Sequence, residues 1–420
     1  MNRISSVHLA TVYTSTSRPT VELTIALESG AIGRACLPLG YTDYSTPATG
    51  SLLYQRVQDE IHAICARVLL GAKINTQNEF DRLICDKTDA IQNESIRAKV
   101  RFLVSLASGR ACAGSSTMGL YDYLASIPGK STAHRLPRPI ITLISGGRVA
   151  TTSFRVQALM IAPTGASSLA EAVRVGSEVY HSLHEILDQH GQDYAIGDEG
   201  GLCTDFHGRD AISILSLALD TVLEAIRAAR YEPGKDVKLA IDFAASNCAA
   251  DGGYQLVTTS SIQAPGDIVA LCVALSRSYP ILFFEDPLAG SHVEYLPALK
   301  AKLAGTALTV ADDLLSALAA PGEARYSCDG VIVMPDRIGT LSQAIDFATT
   351  AASAGCTAIA SHRSSDTEDT FIADFSAAMS LPFVKAGGMS GSERIAKYNQ
   401  LLRLAERRKM AESSLQNNEV

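Results

Sequence analysis

The 420-residue chain has no basic run, no CxxC pair, no tryptophan and no uninterrupted apolar stretch of ~18 residues. The lack of a basic run, with a formal net charge of −8, argues against nucleic acid and anionic membrane surfaces as partners. An acidic protein can still hold a local cationic pocket. Without a long apolar run, no membrane span is expected. The start, MNRISSVHLATVY, has no charged region followed by a long apolar stretch, so no signal peptide is expected and a cytoplasmic location is. The nine cysteines are odd in number and scattered. Cys65, Cys112 and Cys272 lie inside apolar helical patterns, which suits reduced, mostly buried thiols. No glycine-rich phosphate loop follows an apolar run, since GGRVAT and GDEGG lack the dinucleotide pattern. Nothing follows from the missing tryptophan. There is no internal repeat and no low-complexity segment.

What is present is ordinary for a globular enzyme: 47% hydrophobic and 19% charged residues. The length predicts two domains. Residues 7–38 read as strands, with VELTIALES alternating apolar and polar positions as a half-exposed antiparallel strand does. Residues 51–125 read as helices. Strands followed by helices predict an α+β domain over residues 1–133. The segment PGKSTAHRLPRP (128–139) is the linker candidate.

From Ile140 onward, short apolar strands alternate with amphipathic helices. The strand candidates are ITLIS, VQALMIA, DYAIGD, KLAIDF, ILFFED, LTVADD, GVIVM, TAIASH and LPFVKAG. Leu169, Val173, Gly176, Tyr180, Leu183 and Leu187 form one apolar stripe at helical spacing, and Ile395, Tyr398, Leu402 and Ala405 form another. Continuous apolar strands, each followed by a helix, indicate a parallel sheet covered on its outer face. About eight such units over roughly 280 residues predict a β/α barrel across residues 134–420 rather than an open sheet.

In a barrel, residues at the C-terminal strand ends converge on one site. Asp242 in KLAIDFAAS, Glu285 in LFFEDPL and Asp312 in LTVADDL each follow a short apolar run. Three carboxylates facing one point repel unless a cation joins them, and oxygen ligands without His or Cys suit Mg²⁺. The competing reading is N-caps and surface ion pairs. Glu199, among the glycines of GDEGG, is a candidate general acid or base near that metal, although an acidic turn is the commoner meaning of such a segment. His362, Arg363 and Ser364 place an imidazole, a cation and a hydroxyl in a row, an anion clamp. Lys385 follows LPFV, and a lysine at a buried strand end must meet an anion or shift its pKa; carboxylate binding is favoured over catalysis. His181 and His184 lie within helical patterns and read as surface or packing residues.

These segments together resemble enolase. MIAPTGASSLAEAVRVGSEVYHSL, GDEGG, FFEDPL, ADDL, IGTL, ASHRSSDTEDTFIADF and SERIAKYNQLLRL are enolase-like in order and spacing, from about Val7 to Glu406. The resemblance implies an α+β N-terminal cap domain and a modified eight-stranded β/α (TIM-type) barrel. It implies Mg²⁺ on Asp242, Glu285 and Asp312. It also implies a phosphate and carboxylate site that includes His362, Arg363, Ser364 and Lys385, with Gln157 of VQALMIAPTG among the substrate contacts. Glu199 corresponds to an acid assisting loss of a hydroxyl, and Lys385 and His362 complete the catalytic candidates. Enolases convert 2-phosphoglycerate to phosphoenolpyruvate and are usually dimers or larger, so a homo-oligomer acting on a small molecule is implied.

The departures fall where the chemistry should be. The family's proton-abstracting lysine is Met334 here, in MPDRIGT. The glutamate before the MIAPTG-like segment is Ala158, and the histidine after the family's NGG is Val149. The serine of the mobile loop has Thr42 as its nearest equivalent, and an arginine of the SER-containing segment is Gly391. Arg148, Arg337 and Asp336 are new. Losing base, partner acid and histidine together removes what ordinary enolase chemistry depends on. Three readings follow. The first is a diverged Mg²⁺ enzyme resembling the carboxyphosphonoenolpyruvate synthases of phosphonate and phosphinate biosynthesis, with Arg337 and Asp336 in the enlarged substrate site. The second is an enolase with a substitute base, Asp336 or Lys385. The third is a non-catalytic binding protein on the same scaffold.

Overall fold

Apolar side chains at alternate positions of β2 (Pro19–Leu27) bury Val21, Leu23, Ile25 and Leu27 on one face, the two-residue period of a sheet packed on one side. This strand is the centre of an antiparallel sheet in the order β1 (Ile4–Tyr13), β2, β3 (Ile32–Cys36). The structure is a computed structural model and describes residues 2–44, 47–127, 135–150, 152–208, 210–258, 260–314, 324 and 327–417. Most of the expected linker, and with it the 133/134 boundary, lies outside the described residues. The chain divides into two compact units. One joins Met1–Arg135 with Val333–Thr349 and His362–Ser380; the other joins Leu136–Ile332 with Thr350–Ser361 and Leu381–Val420.

In the first unit, the sheet packs on the helix Glu94–Ser115. Asn93 starts that helix, its side-chain oxygen accepting from Ile96 N–H at 3.0 Å, and Thr76 caps Gln77–Thr88 in the same way through Glu79 N–H. The approach of β3 to the long helix is set by a missing side chain. A Cβ on Gly33 would lie 2.0 Å from Ala107 O and 2.3 Å from Ala111 N.

The second unit contains β4 (Arg138–Ser145), β5 (Ala158–Ala162), β6 (Ala195–Ile196), β7 (Leu202–Cys203), β8 (Lys238–Asp242), β9 (Ala249–Ala250), β10 (Gly253–Tyr254), β11 (Ile281–Glu285), β12 (Leu308–Ala311), most of β13 (Gly330–Val333), β14 (Thr357–Ser361) and β15 (Phe383–Gly387). Eight of these close a ring in the order β4-β5-β8-β11-β12-β13-β14-β15, with β15 pairing back onto β4. The fold is therefore a closed eight-stranded β/α barrel with an α+β unit. Its strands are buried on both faces, as the continuous apolar runs require. The helix Leu169–Gln189 buries the stripe that includes Val173, Gly176, Tyr180, Leu183 and Leu187.

Two expectations need correction. The barrel is not wholly parallel: β5 runs antiparallel to both β4 and β8. Among the described residues no helix longer than the short turn Gly147–Val149 separates β4 from β5, and without a crossover the chain can only turn back. The segment DYAIGD supplies no ring strand, only the two-residue β6, exposed and paired with β7. All nine cysteines are free, seven buried and two half-buried. Among the described residues no helix is long and apolar enough to cross a membrane.

Gly33→Ala is expected to destabilise the protein by about 1–3 kcal/mol, because backbone atoms rather than a yielding side chain occupy the space. Urea unfolding checks this; an unchanged midpoint would contradict the strand–helix packing.

Candidate active site

The barrel's carboxylates are gathered by strand register. Asp242 ends β8 and Glu285 ends β11, and the two are paired neighbours. Asp312 follows β12 by one residue, and β12 pairs with β11. The reversal of β5 matters here, because its first residue, Ala158, pairs with Asp242. Gln157 just before it therefore reaches the same rim, and its Nε2 lies 3.3 Å from Asp242 Oδ2. On β15, Lys385 is fixed between Ser361 of β14 and Ile140 of β4. Its Nζ donates to both oxygens of Glu285 at 2.6 Å and lies 3.4 Å from Asp242 Oδ2.

Burial and crowding decide the electrostatics. Glu285 is fully buried, and burial together with Asp242 pushes its carboxyl well above the usual range despite Lys385. Burial also raises Asp242, against the pull of Lys385. Burial alone would lower the Lys385 ammonium, but Glu285, Asp242 and Asp312 more than reverse this and hold it protonated. Asp286 is a fourth carboxylate that the sequence reading missed. It is buried, pushed up by burial and by Asp312, and it accepts from the backbone N–H of Asp312 at 2.8 Å and of Asp313 at 2.7 Å. Ala244 and Asp286, just beyond the strand ends, have left-handed φ of 42° and 41°. Strained backbone of this kind gathers where a fold aims side chains at a site.

Glu199 is buried and its carboxyl is raised to about 7, chiefly by burial, with Lys385 and Arg394 opposing. The glycines around it permit close backbone contact. A Cβ on Gly388 would lie 2.1 Å from Gly200 O, and Gly387, at φ 93°, has Glu199 O 2.7 Å from its missing Cβ. Gly388 N–H donates to Glu199 O at 2.7 Å.

The donor set suits a hard divalent cation: oxygens only, on rigid strand ends, with more buried negative charge than one ammonium offsets. Asp242, Glu285 and Asp312 are the residues that would hold it. Among the described residues, however, no three acidic, His or Cys side chains form a ready-made ion cluster. The cation shared by Glu285 and Asp242 is the Lys385 ammonium.

In the α+β unit, His362, Arg363 and Ser364 are buried. Arg363 Nη1 donates to the Met334 sulfur at 2.6 Å, its Nε lies 3.6 Å from Asp336 and its Nη2 3.8 Å from Asp43. Asp43 in turn meets Lys99 at 3.0 Å, both buried; burial raises its carboxyl, and Lys99 and Arg363 more than reverse this. Asp43 and Lys99 escaped the sequence reading, although a lysine within the apolar face of RAKVRFLVSL was a signal. A Cβ on Gly40 would collide with the Arg363 guanidinium. Asp336 is buried and turned to Arg363, with no hydrogen bond to its Oδ2. Arg337 and Arg148 are exposed. Met334, Val149 and Ala158 are buried and bring no proton acceptor. The backbone of Thr42 lies in the short helix Tyr41–Tyr44.

A closed β/α barrel with acidic strand ends, joined to an α+β unit, defines an enzyme scaffold of the enolase superfamily. Family comparison agrees: the model described as the enolase N-terminal domain matches residues 4–124, and that of the enolase C-terminal TIM barrel domain matches residues 133–417. The chain belongs to the enolase family.

The raised Glu199 carboxyl has a consequence for stability. The folded state keeps this proton where the unfolded chain has lost it, so native protein binds more protons between pH 4.5 and about 7. Its contribution to stability therefore falls as pH rises through that window, by on the order of 3 kcal/mol. Urea unfolding of metal-free wild type and Glu199→Gln across this range is expected to show the variant losing less stability; parallel curves would refute the assignment.

Proposed function

We propose that the chain is a Mg²⁺-dependent enzyme that binds a phosphoenolpyruvate-like phosphorylated or phosphono carboxylate and does not begin by removing a carbon-bound proton. Its reaction resembles that of the carboxyphosphonoenolpyruvate synthases of phosphonate and phosphinate biosynthesis. The observation that carries this reading is at Met334. The position that supplies the base in enolases holds a buried thioether which accepts from Arg363, while the acidic strand ends, Glu199 and Lys385 persist beside one another in the barrel.

When bound, Mg²⁺ would supply positive charge to offset the ligand's carboxylate and enolate-type oxygens. Asp242, Glu285 and Asp312 are its proposed ligands. Lys385 binds the ligand's carboxylate as a protonated ammonium, Glu199 in its protonated form is the proton donor, and Arg363, His362 and Ser364 take the phosphate. Gln157 orients Asp242. Arg337 contributes to an additional anionic group, and Asp336 to the setting of Arg363. The protein on this reading is a cytoplasmic homo-oligomer with a small-molecule substrate.

The alternative, a 2-phosphoglycerate dehydratase with a substitute base, has less support. Lys385 is held in its charged form by its carboxylates, and Asp336 faces a guanidinium. A non-catalytic role would leave the buried charge surplus of the barrel without a use.

Purified protein with Mg²⁺ is expected to form no phosphoenolpyruvate from 2-phosphoglycerate. Turnover at ~1 s⁻¹ or above, within the ordinary enzyme range, would instead establish the dehydratase. Met334→Lys alone is expected to leave dehydration absent, because Ala158 and Val149 remain; strong rescue in the same assay would point to a recently disabled enolase. Asp242→Ala is expected to abolish Mg²⁺-dependent binding of phosphoenolpyruvate in calorimetry, and unchanged binding would remove the carboxylates from the metal site.

A further inference from the structure

The Lys385 ammonium engages the same oxygens that the proposed metal site requires. Both oxygens of Glu285 accept from Nζ at 2.6 Å, and Asp242 Oδ2 lies 3.4 Å away. We propose that Lys385 and a divalent cation are alternative occupants of one carboxylate pocket, so that cation binding drives the ammonium off Glu285 and Asp242. This rests on the reading of Asp242, Glu285 and Asp312 as cation ligands.

Three features carry it. First, a metal ion uses carboxylate lone pairs at about 2.0–2.6 Å, and one lone pair on each Glu285 oxygen is already engaged by the ammonium. Two cations on the same carboxylate, in a site closed to water, repel strongly. Second, the exchange improves the charge balance. Asp242, Glu285 and Asp286 are all buried, and one positive charge offsets them less well than two. Third, only a side chain has to move. The backbone of Lys385 is locked by pairing on both sides, to Ser361 and to Ile140, whereas its four-carbon stem has rotamer freedom. In the cation-free protein the lysine keeps the buried carboxylates paired; with the cation in place, the ammonium is released to meet an anion.

Calorimetry with MgCl₂ on the full chain, freed of metal by chelation and held at alkaline pH, tests the exchange. Lys385→Met removes the competitor and is expected to bind Mg²⁺ at least tenfold more tightly than wild type. Lys385→Arg keeps the competing charge and is expected to bind no more tightly than wild type. Asp242→Asn is expected to weaken binding at least tenfold in either background. Unchanged or weaker affinity in Lys385→Met, with Asp242→Asn still impaired, would overturn the displacement while leaving the metal ligands in place. No effect of Asp242→Asn would overturn the ligand assignment instead. If Lys385→Met does not fold, wild type still decides the matter. Amine labelling followed by mass spectrometry is expected to modify Lys385 several-fold faster with Mg²⁺ than without, and equal rates would refute its release.

Discussion

The ammonium of Lys385 is the interaction on which the barrel's interior depends. Asp242, Glu285 and Asp286 are buried at the ends of strands or just past them, where solvent cannot screen their repulsion. A single lysine, anchored across the closing seam of the ring between β14 and β4, supplies the positive charge that holds two of them. Breaking a buried pair of this kind leaves an uncompensated charge, which costs far more than the pair itself contributes. In the structure the positive charge that meets Glu285 and Asp242 comes from the chain itself.

Strand direction does the remaining work of assembly. In a wholly parallel ring every residue at the rim would come from a strand's C-terminal end. The reversal of β5 brings its N-terminal end there too, which is how Gln157 reaches Asp242. The two left-handed residues, Ala244 and Asp286, break the strands just beyond the carboxylates. Asp286 then becomes a clamp, its carboxylate tying down the backbone N–H groups of Asp312 and Asp313. The glycines of residues 197–201 and of Gly387–Gly388 allow backbone-to-backbone contact that seats Glu199 in a dry environment, and dryness is what lifts its carboxyl.

A different logic governs the α+β unit. Met334 and Arg363 are partners, and Arg363 is balanced by Asp336 and Asp43, the latter shared with Lys99. A lysine at position 334 would put a second cation against the guanidinium in a buried place. The thioether is therefore a direct partner of the guanidinium rather than a simple deletion of a base.

Much of this was legible in the sequence. Period-two alternation marked β2, apolar stripes at helical spacing marked Leu169–Gln189 and the last helix, and acidic residues after apolar runs marked Asp242, Glu285 and Asp312, because these patterns record which side of a local element meets the core. The substitution at Met334 was also visible, since it is a matter of residue type alone. What the sequence could not show depended on partners far away in the chain. The antiparallel course of β5 followed from the short connection that joins it to β4, the reduction of DYAIGD to a two-residue ladder from its pairing with β7 alone, and the choice of Lys385 as the cation of Glu285 from the closure of β15 onto β4. Asp43, Lys99 and Asp286 became members of charge networks only through burial. Local periodicity fixes which face of an element is apolar; only the closed tertiary structure decides which buried charges meet.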